Sequence, residues 1–425
     1  MSLLLKGAHA IDPSAALDAT VDVLIAEGAV AQVGEDLAAP EGARVIDCAG
    51  KVLVPGLTDV HVHFRDPGLE YKETILTGSQ AAVHGGFTDV APMANTKPVI
   101  DNGAAVSAIV EKGRAAACHI HPVGACTKGL KGVELAEMGD MAAAGAVAFS
   151  DDGKGIQNSG MMRRVMDYAK MFNKVVMAHE QDAGLVENGQ VNEGDASTRL
   201  GLAGWSATGE EAMIARDIEI LRLTGGRLHL QHVTTAHGIE LVRQAKDEGL
   251  DITCEVTPHH LFLNEDDLTA DYDTNLKMNP PLRTRADNEA LIEALIDGVA
   301  DVVATDHAPH AAHEKALEFE HAPFGTTGLE TALPLMLTNL VATGRLSWNR
   351  LVEVMALEPR RILGVDPVSV AVGSAADLTL IDPEAPLTVT PEYFKSKSAN
   401  SAFLGQHLRG AASLTIVGGA IAWEA

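Results

Sequence analysis

The chain has 425 residues, of which 46% are hydrophobic, and a formal net charge of −26. Its length exceeds what one hydrophobic core usually organises, so we expect one large domain and one smaller domain. The negative charge argues against nucleic acid and anionic lipid as partners, and no run of 18 apolar residues could span a membrane. Four cysteines without CxxC spacing, and no signal peptide, predict a cytoplasmic protein.

Both ends of the chain have the pattern of short β-strands separated by turns. Glu27-Gly28 marks a hairpin turn near the start, and Gly418-Gly419 marks a turn near the end. The strand-like segments are 3–6, 21–26, 29–33, 376–381 and 414–423. We therefore expect residues 1–55 and 370–425 to form one small β-sandwich domain.

The middle of the chain alternates between strands and helices. The predicted strands are 57–63, 87–91, 119–126, 146–150, 174–179, 228–233, 251–256 and 300–306. The clearest helices are 161–172, 236–248 and 208–223, the last with a predicted capping box from Thr208 to Glu211. Eight such alternations predict an α/β fold, a TIM-type (β/α)8 barrel over residues 56–369. The alternative, a doubly wound open sheet, lacks the GxGxxG turn after its first strand.

The first predicted barrel strand ends with two histidines, His61 and His63. Residues two apart in a strand point to the same face, so both imidazoles project together at the carboxyl end, where barrel active sites lie. Two such imidazoles can bind a divalent metal such as zinc. The alternative is a pair of buried core histidines, and the position in the barrel favours the metal.

A second pair with the same spacing, His119 and His121, begins its predicted strand instead of ending it. The amino-terminal face of a barrel serves stability rather than catalysis. We therefore expect this pair to have a structural role.

Three further predicted strands end on a polar residue, namely His179, His232 and Asp306. Polar groups that converge on one rim of a barrel indicate a metal site, because an uncompensated cluster would be destabilising. The fourth strand is followed by Asp151 and Asp152, which could bridge metals or form an ordinary Asp-Gly turn. The residue pattern leaves these two interpretations open.

Several longer motifs resemble the type I bacterial dihydroorotases of the amidohydrolase superfamily. They are DVHVHFRDPG at 59–68, GGFTDVAPMANTKP at 85–98, FSDDG at 149–153, EVTPHHL at 255–261, KMNPPLR at 277–283, ATDHAPH at 304–310 and EHAPFGTTGLE at 320–330. The resemblance implies a zinc enzyme of pyrimidine synthesis that interconverts N-carbamoyl-L-aspartate and L-dihydroorotate. It leaves open whether one or two zinc ions bind per subunit, whether the chain forms a homodimer, and whether aspartate transcarbamoylase is a partner.

The resemblance also implies roles for individual residues. One metal would be held by His61, His63 and Asp306, a second by His179 and His232, with Asp152 between them. Asp306 would also carry the catalytic proton. Substrate contacts would come from His63, Arg65, Asn95, Asn279, His310, Phe324 and Gly325. For Arg65 the alternative is a surface ion pair with Asp66 or Glu70.

This sequence departs from the family pattern at two places. Ala94 stands where proline often precedes the asparagine, and Glu180-Gln181 replaces a common Cys-Glu pair.

Two alternative functions remain. Hydantoinases, dihydropyrimidinases and allantoinases usually bridge their metals with a carboxylated lysine, which the fourth strand here lacks. A non-catalytic barrel that supports aspartate transcarbamoylase would have lost metal ligands, which this chain retains.

Overall fold

The computed structural model describes residues 2–425. The strands are β1 (Leu3–Asp12), β2 (Leu17–Ala26), β3 (Ala29–Gly34), β4 (Arg44–Asp47), β5 (Val52–Pro55), β6 (Leu57–Val62), β7 (Phe87–Pro92), β8 (His119–Ile120), β9 (Val123–Gly124), β10 (Ala148–Phe149), β11 (Val175–Ala178), β12 (Val191–Asn192), β13 (Gly204–Trp205), β14 (Leu228–Leu230), β15 (Ile252–Val256), β16 (Val302–Val303), β17 (Leu378–Thr388), β18 (His407–Val417) and β19 (Ala420–Glu424).

The α-helices lie mostly between the strands of the middle region. They are α1 (Ile75–His84), α2 (Gly103–Gly113), α3 (Met138–Ala144), α4 (Ser159–Lys170), α5 (Ala183–Val186), α6 (Asp195–Leu200), α7 (Thr208–Thr224), α8 (Ala236–Asp247), α9 (Pro258–Phe262), α10 (Arg285–Asp297), α11 (Ala312–Lys315), α12 (Leu329–Met336), α13 (Trp348–Val352) and α14 (Glu358–Leu363). Within residues 2–425, none of them combines the length and the apolar composition that a membrane crossing requires.

Parallel strands form a barrel at the centre of the molecule. β6, β7 and β8 pair in that order, and β9, β10, β11, β14, β15 and β16 pair in a second series. A parallel bridge between Val62 and His307 joins the first barrel strand to the segment after β16, with the His63 amide donating to the His307 carbonyl over 2.8 Å. The strand interiors and surrounding helices are packed with buried aliphatic residues. The predicted (β/α)8 architecture is confirmed.

The third barrel strand is divided where a single strand was predicted. β8 pairs with β7, whereas β9 pairs with β10, and Pro122 lies between them. Proline has no backbone N–H to donate to a ladder, which accounts for the break.

The helix predicted over 208–223 forms as α7, but its predicted capping box is wrong. Ala207 precedes the helix and makes no side-chain cap, so Thr208 already lies in the first turn. Glu210 turns inward and accepts from the backbone amide of Thr234 over 2.8 Å. The helix ends, as the sequence indicates, at Gly225 in the left-handed conformation with φ of 57°.

The two ends of the chain meet in one eight-stranded sheet of β1–β5 and β17–β19. The link between them is β5, which runs antiparallel to β17 with Leu53 opposite Leu380. Part of this sheet's apolar side chains, including Leu5 and Leu414, form a core of their own, whereas Val54 and Ile381 belong to the core of the barrel.

Candidate metal centre and active site

Six polar side chains converge at the carboxyl ends of the barrel strands. His61 belongs to β6 and His63 follows it, while Asp152, His179, His232 and Asp306 come one to three residues after β10, β11, β14 and β16. All six are buried. Burial of so many polar groups in one place is unfavourable unless they bind something or one another.

Carboxylate oxygens lie between the imidazoles of this cluster. His61 Nε2 is 3.4 Å from Asp152 Oδ1 and 3.6 Å from Asp306 Oδ1. His63 Nε2 is 2.9 Å from Asp306 Oδ1 and 3.5 Å from Asp152 Oδ2. His179 Nδ1 is 3.5 Å from Asp152 Oδ1. Most of these separations are longer than good hydrogen bonds.

The separations fit donors that share a metal ion. Ligands at about 2.0–2.1 Å from a tetrahedral zinc lie roughly 3.3 Å from one another. Two sets have all ligand atoms within 4.8 Å of each other: His61, His63 and Asp306, and His61, Asp152 and His232. His179 lies beside the second set, with Nδ1 2.9 Å from His232 Nε2. Imidazole nitrogens and carboxylates together suit a borderline divalent ion.

The two adjacent aspartates point in different directions. Asp151 turns away from the histidines and accepts from the backbone amides of Cys126 and Thr127, each over 2.9 Å. Asp152 points into the cluster and also accepts from Asn95 Nδ2 over 3.0 Å. Of the two, only Asp152 is placed to contact metal ions.

A buried carboxylate behind His61 was not identified from the sequence. Glu255 Oε1 lies 2.6 Å from His61 Nδ1, and Glu255 Oε2 lies 3.0 Å from His229 Nε2. A hydrogen bond at Nδ1 leaves His61 Nε2 free to face the centre. The available signal was a charged residue inside the buried strand β15.

The charges of the cluster shift its pKa values. Burial raises the pKa of Asp152, but the nearby His61 and His179 outweigh this and hold it well below its ordinary value. Burial and the neighbouring histidines lower the pKa of His232 to about 3. For Asp152 and His232 these shifts favour the ionised carboxylate and the neutral imidazole, the forms that bind a metal, whereas at His61 burial is outweighed by the surrounding carboxylates, which raise its pKa.

The backbone is strained at three positions around the centre. Arg65, His232 and Asp306 have φ values of 60°, 33° and 46°, a region that residues other than glycine rarely adopt. Such conformations persist only where surrounding contacts enforce them, and they concentrate at functional sites.

A cavity of about 120 Å³ opens onto the cluster. Predicted substrate contacts that line it are His63, Arg65, Asn95, Asn279, Phe324 and Gly325. Within residues 2–425, Asn279 Oδ1 is buried without a hydrogen-bond partner, which leaves it available to a ligand.

His310 does not line the cavity but lies behind it. Its Nε2 is 2.8 Å from the Phe324 carbonyl and 3.3 Å from Arg65 Nη2. Arg65 Nε donates to the carbonyl of Pro309 over 3.2 Å. Among residues 2–425, Arg65 has no carboxylate partner, so the surface ion pair considered as its alternative is absent and its charge faces the cavity.

The second histidine pair lies apart from the cluster. His119 Nε2 is 3.1 Å from Asp377, and His121 Nε2 is 2.7 Å from Asp89. Each is satisfied by its own carboxylate at the other end of the barrel strands. This placement agrees with the structural role expected for the pair.

Comparison with known proteins identifies the family. A family model described as "Dihydro-orotase-like" matches residues 50–238. A dihydroorotase of Pelotomaculum thermopropionicum is 49% identical, covering 100% of this chain and 99% of the relative. A dihydroorotase of Geobacter sp. strain M21 is 48% identical over 100% of both chains.

Solved structures of cyclic amidohydrolases share the fold. An L-hydantoinase from Arthrobacter aurescens superposes with a TM-score of 0.88 at 29% identity, covering 99% of this chain and 96% of that one. A dihydropyrimidinase from Brevibacillus agri gives a TM-score of 0.86 at 22% identity, covering 99% and 95%. Because the full-length sequence relatives are far more similar than these structural neighbours, the chain belongs to the dihydroorotase family.

Proposed function

We propose that this protein is a hydrolase of cyclic amides that interconverts N-carbamoyl-L-aspartate and L-dihydroorotate in pyrimidine synthesis. The observation that supports it most is the composition of the cavity, where Arg65 faces the histidine and aspartate cluster. The substrate requires both features, because it carries a carboxylate beside the amide that reacts. Full-length identity of 49% with a relative named dihydroorotase supports the same conclusion.

The donor set would suit two zinc ions per subunit. His61, His63 and Asp306 would hold one ion, His179 and His232 the other, and Asp152 would contact both. A bound divalent ion lowers the pKa of water and polarises a carbonyl oxygen. Glu255 would fix the orientation of His61 through its 2.6 Å contact.

Asp306 would move the proton. It lies at the cavity wall beside His63. Burial raises its pKa, but His61 and the hydrogen bond from His63 lower the pKa by more, so the net shift is downward and the carboxylate is held ionised. In ring opening, Asp306 accepts a proton from the attacking water and delivers it to the departing ring nitrogen. In ring closure, it removes a proton from the carbamoyl nitrogen.

Arg65 would bind the substrate carboxylate. Its guanidinium can form two parallel hydrogen bonds to a carboxylate, a geometry that lysine cannot reproduce. Asn279, with its free oxygen, and the backbone at Phe324 and Gly325 would orient the ring. Asn95 contacts both His63 and Asp152, so its amide would orient these two residues as well as face the substrate.

The test is a ring-opening assay on L-dihydroorotate, with hydantoin and allantoin as competing substrates and with metal content measured on the same sample. We expect dihydroorotate to be turned over and the others to be poor substrates. Faster turnover of hydantoin would instead favour the function of the 29% identical L-hydantoinase. A protein that binds no metal and opens no ring would support a non-catalytic role beside aspartate transcarbamoylase.

A further inference from the structure

A short loop carries two of the cavity residues, and it is folded around a lysine. Residues 319–325, here termed the 319–325 loop, bring Phe324 and Gly325 to the cavity. Lys277 is 1% exposed, and its Nζ donates to the carbonyls of Phe319 over 2.6 Å, Glu320 over 3.1 Å and Ala322 over 2.8 Å. All three acceptors belong to this loop.

A second lysine supports the same loop from outside. Lys315 Nζ donates to the carbonyls of Pro323 and Thr274, each over 2.9 Å. Among residues 2–425, neither Lys277 nor Lys315 is paired with a carboxylate. Their partners are backbone carbonyls, so their arrangement shapes the backbone rather than neutralises a charge.

The loop would not keep this shape without the ammonium of Lys277. Three carbonyls that point to one place need donors, and the hydrogen bonds to two of them, Phe319 and Ala322, are buried. Removing the donor leaves them unsatisfied, which is more unfavourable than losing an exposed hydrogen bond. Burial lowers the pKa of Lys277 to about 8, so the amine is mostly protonated at neutral pH.

Lys277 is also joined directly to the residues that face the cavity. Its own carbonyl accepts from the Gly325 amide over 2.8 Å. Its Nζ lies 4.5 Å from the centre of the Phe324 ring, within the range of a cation–π contact. Phe324 also packs edge-on against Trp205, with ring centres 5.8 Å apart.

We propose that Lys277 is a positioning residue for substrate binding, whose buried ammonium holds the 319–325 loop so that Phe324 and Gly325 face the substrate. This inference rests on the proposed function for the identity of the substrate. The effect of Lys277 on the loop is independent of the proposed function.

The test compares Lys277→Met, which keeps the length of the side chain and removes its charge, with the unmodified enzyme. We expect KM for dihydroorotate to rise about tenfold or more, because hydrogen bonds from a charged donor are lost. We expect kcat to change by less than roughly threefold and metal content to stay constant, because Lys277 touches neither the reacting atoms nor the metal centre. Unchanged KM in a folded Lys277→Met protein would overturn the proposal.

Two readouts do not depend on activity. With Trp348 and Trp423 replaced by Phe, the emission of Trp205 reports the packing of Phe324, and we expect it to shift in Lys277→Met. Chymotrypsin should also cleave after Phe319 or Phe324 faster than in the parent. If dihydroorotate is not a substrate but both signals change, the proposed function fails and the positioning role stands.

Lys170→Met is the matched control, because Lys170, at the end of α4, also donates to a backbone carbonyl, that of Thr224 over 2.9 Å, and has no carboxylate partner among residues 2–425. It should leave KM and Trp205 emission unchanged. If Lys277→Met does not fold, Lys277→Gln, which retains amide donors, is measured in the same way. If that variant also fails to fold, Lys277 serves global stability and the proposal is wrong.

Discussion

Glu255 Oε1 lies 2.6 Å from Nδ1 of His61, and both side chains are fully buried. The contact directs the other nitrogen of His61 toward Asp152 and Asp306. It connects the interior of the barrel to the histidine and aspartate cluster, and it yields a prediction about metal affinity.

Glu255→Gln should weaken metal binding by about 10–100-fold, the range found for residues that orient a ligand. The amide keeps the shape of the side chain but removes the charge that supports His61. Competition with a chelator measures the affinity. His121→Ala is the control, since His121 contacts Asp89 at the far end of the barrel. A chelator profile identical to that of the parent would show that Glu255 does not support the centre.

Asp306→Asn should lower kcat by about 10²–10⁴-fold, because the amide cannot accept the proton in the reaction. Zinc content must be measured on the same preparation, since Asp306 is also a predicted ligand. A fully metallated variant with normal turnover would rule out Asp306 as the proton carrier.

Arg65→Lys should raise KM for dihydroorotate on the order of tenfold or more, because lysine keeps the charge but loses the two-pronged contact. Zinc content should not change. Steady-state kinetics with dihydroorotate distinguishes this from a general defect. If KM stays normal, another group binds the carboxylate.

Asp152→Ala should lose the second metal, whereas Asp151→Ala should retain it, because within residues 2–425 the side chain of Asp151 accepts only from the Cys126 and Thr127 amides and the Thr127 hydroxyl. Activity should also need no bicarbonate, since Asp152 is already ionised and a carboxylated lysine is not required. Metal-free enzyme reconstituted with zinc in buffer depleted of carbon dioxide tests this. Activity that returns only after bicarbonate is added would contradict the assignment.

The metal-free protein should lose stability as the pH falls, partly through His259. Burial lowers the pKa of His259 to about 4, whereas an unfolded histidine titrates near about 6.5. Between these values the unfolded chain binds the proton and the folded protein does not, so acid favours unfolding. From pH 7 to 5 the free energy of unfolding should fall by roughly 2 kcal/mol more than in His259→Leu. Urea unfolding at both pH values measures the difference. The same change in the free energy of unfolding for the parent and His259→Leu would contradict the prediction.

The sequence by itself determined the barrel and the residues of its rim. Buried parallel strands require continuous apolar runs, so a polar residue at the end of each run, such as His179 or Asp306, is visible as a break in the pattern. The two-residue period of a strand likewise placed His61 and His63 on one face.

Only the tertiary structure decided which groups meet across the barrel. Glu255 is 194 positions from His61, and no local pattern relates the two. Asp151 and Asp152 have the same chemistry, and the backbone that follows the neighbouring strand β9 selects which one turns inward. Lys277 and the 319–325 loop are joined in the same way. The periodicity of the local sequence indicates which side chains are buried and to which face they point, whereas contacts between distant segments depend on how those segments pack together.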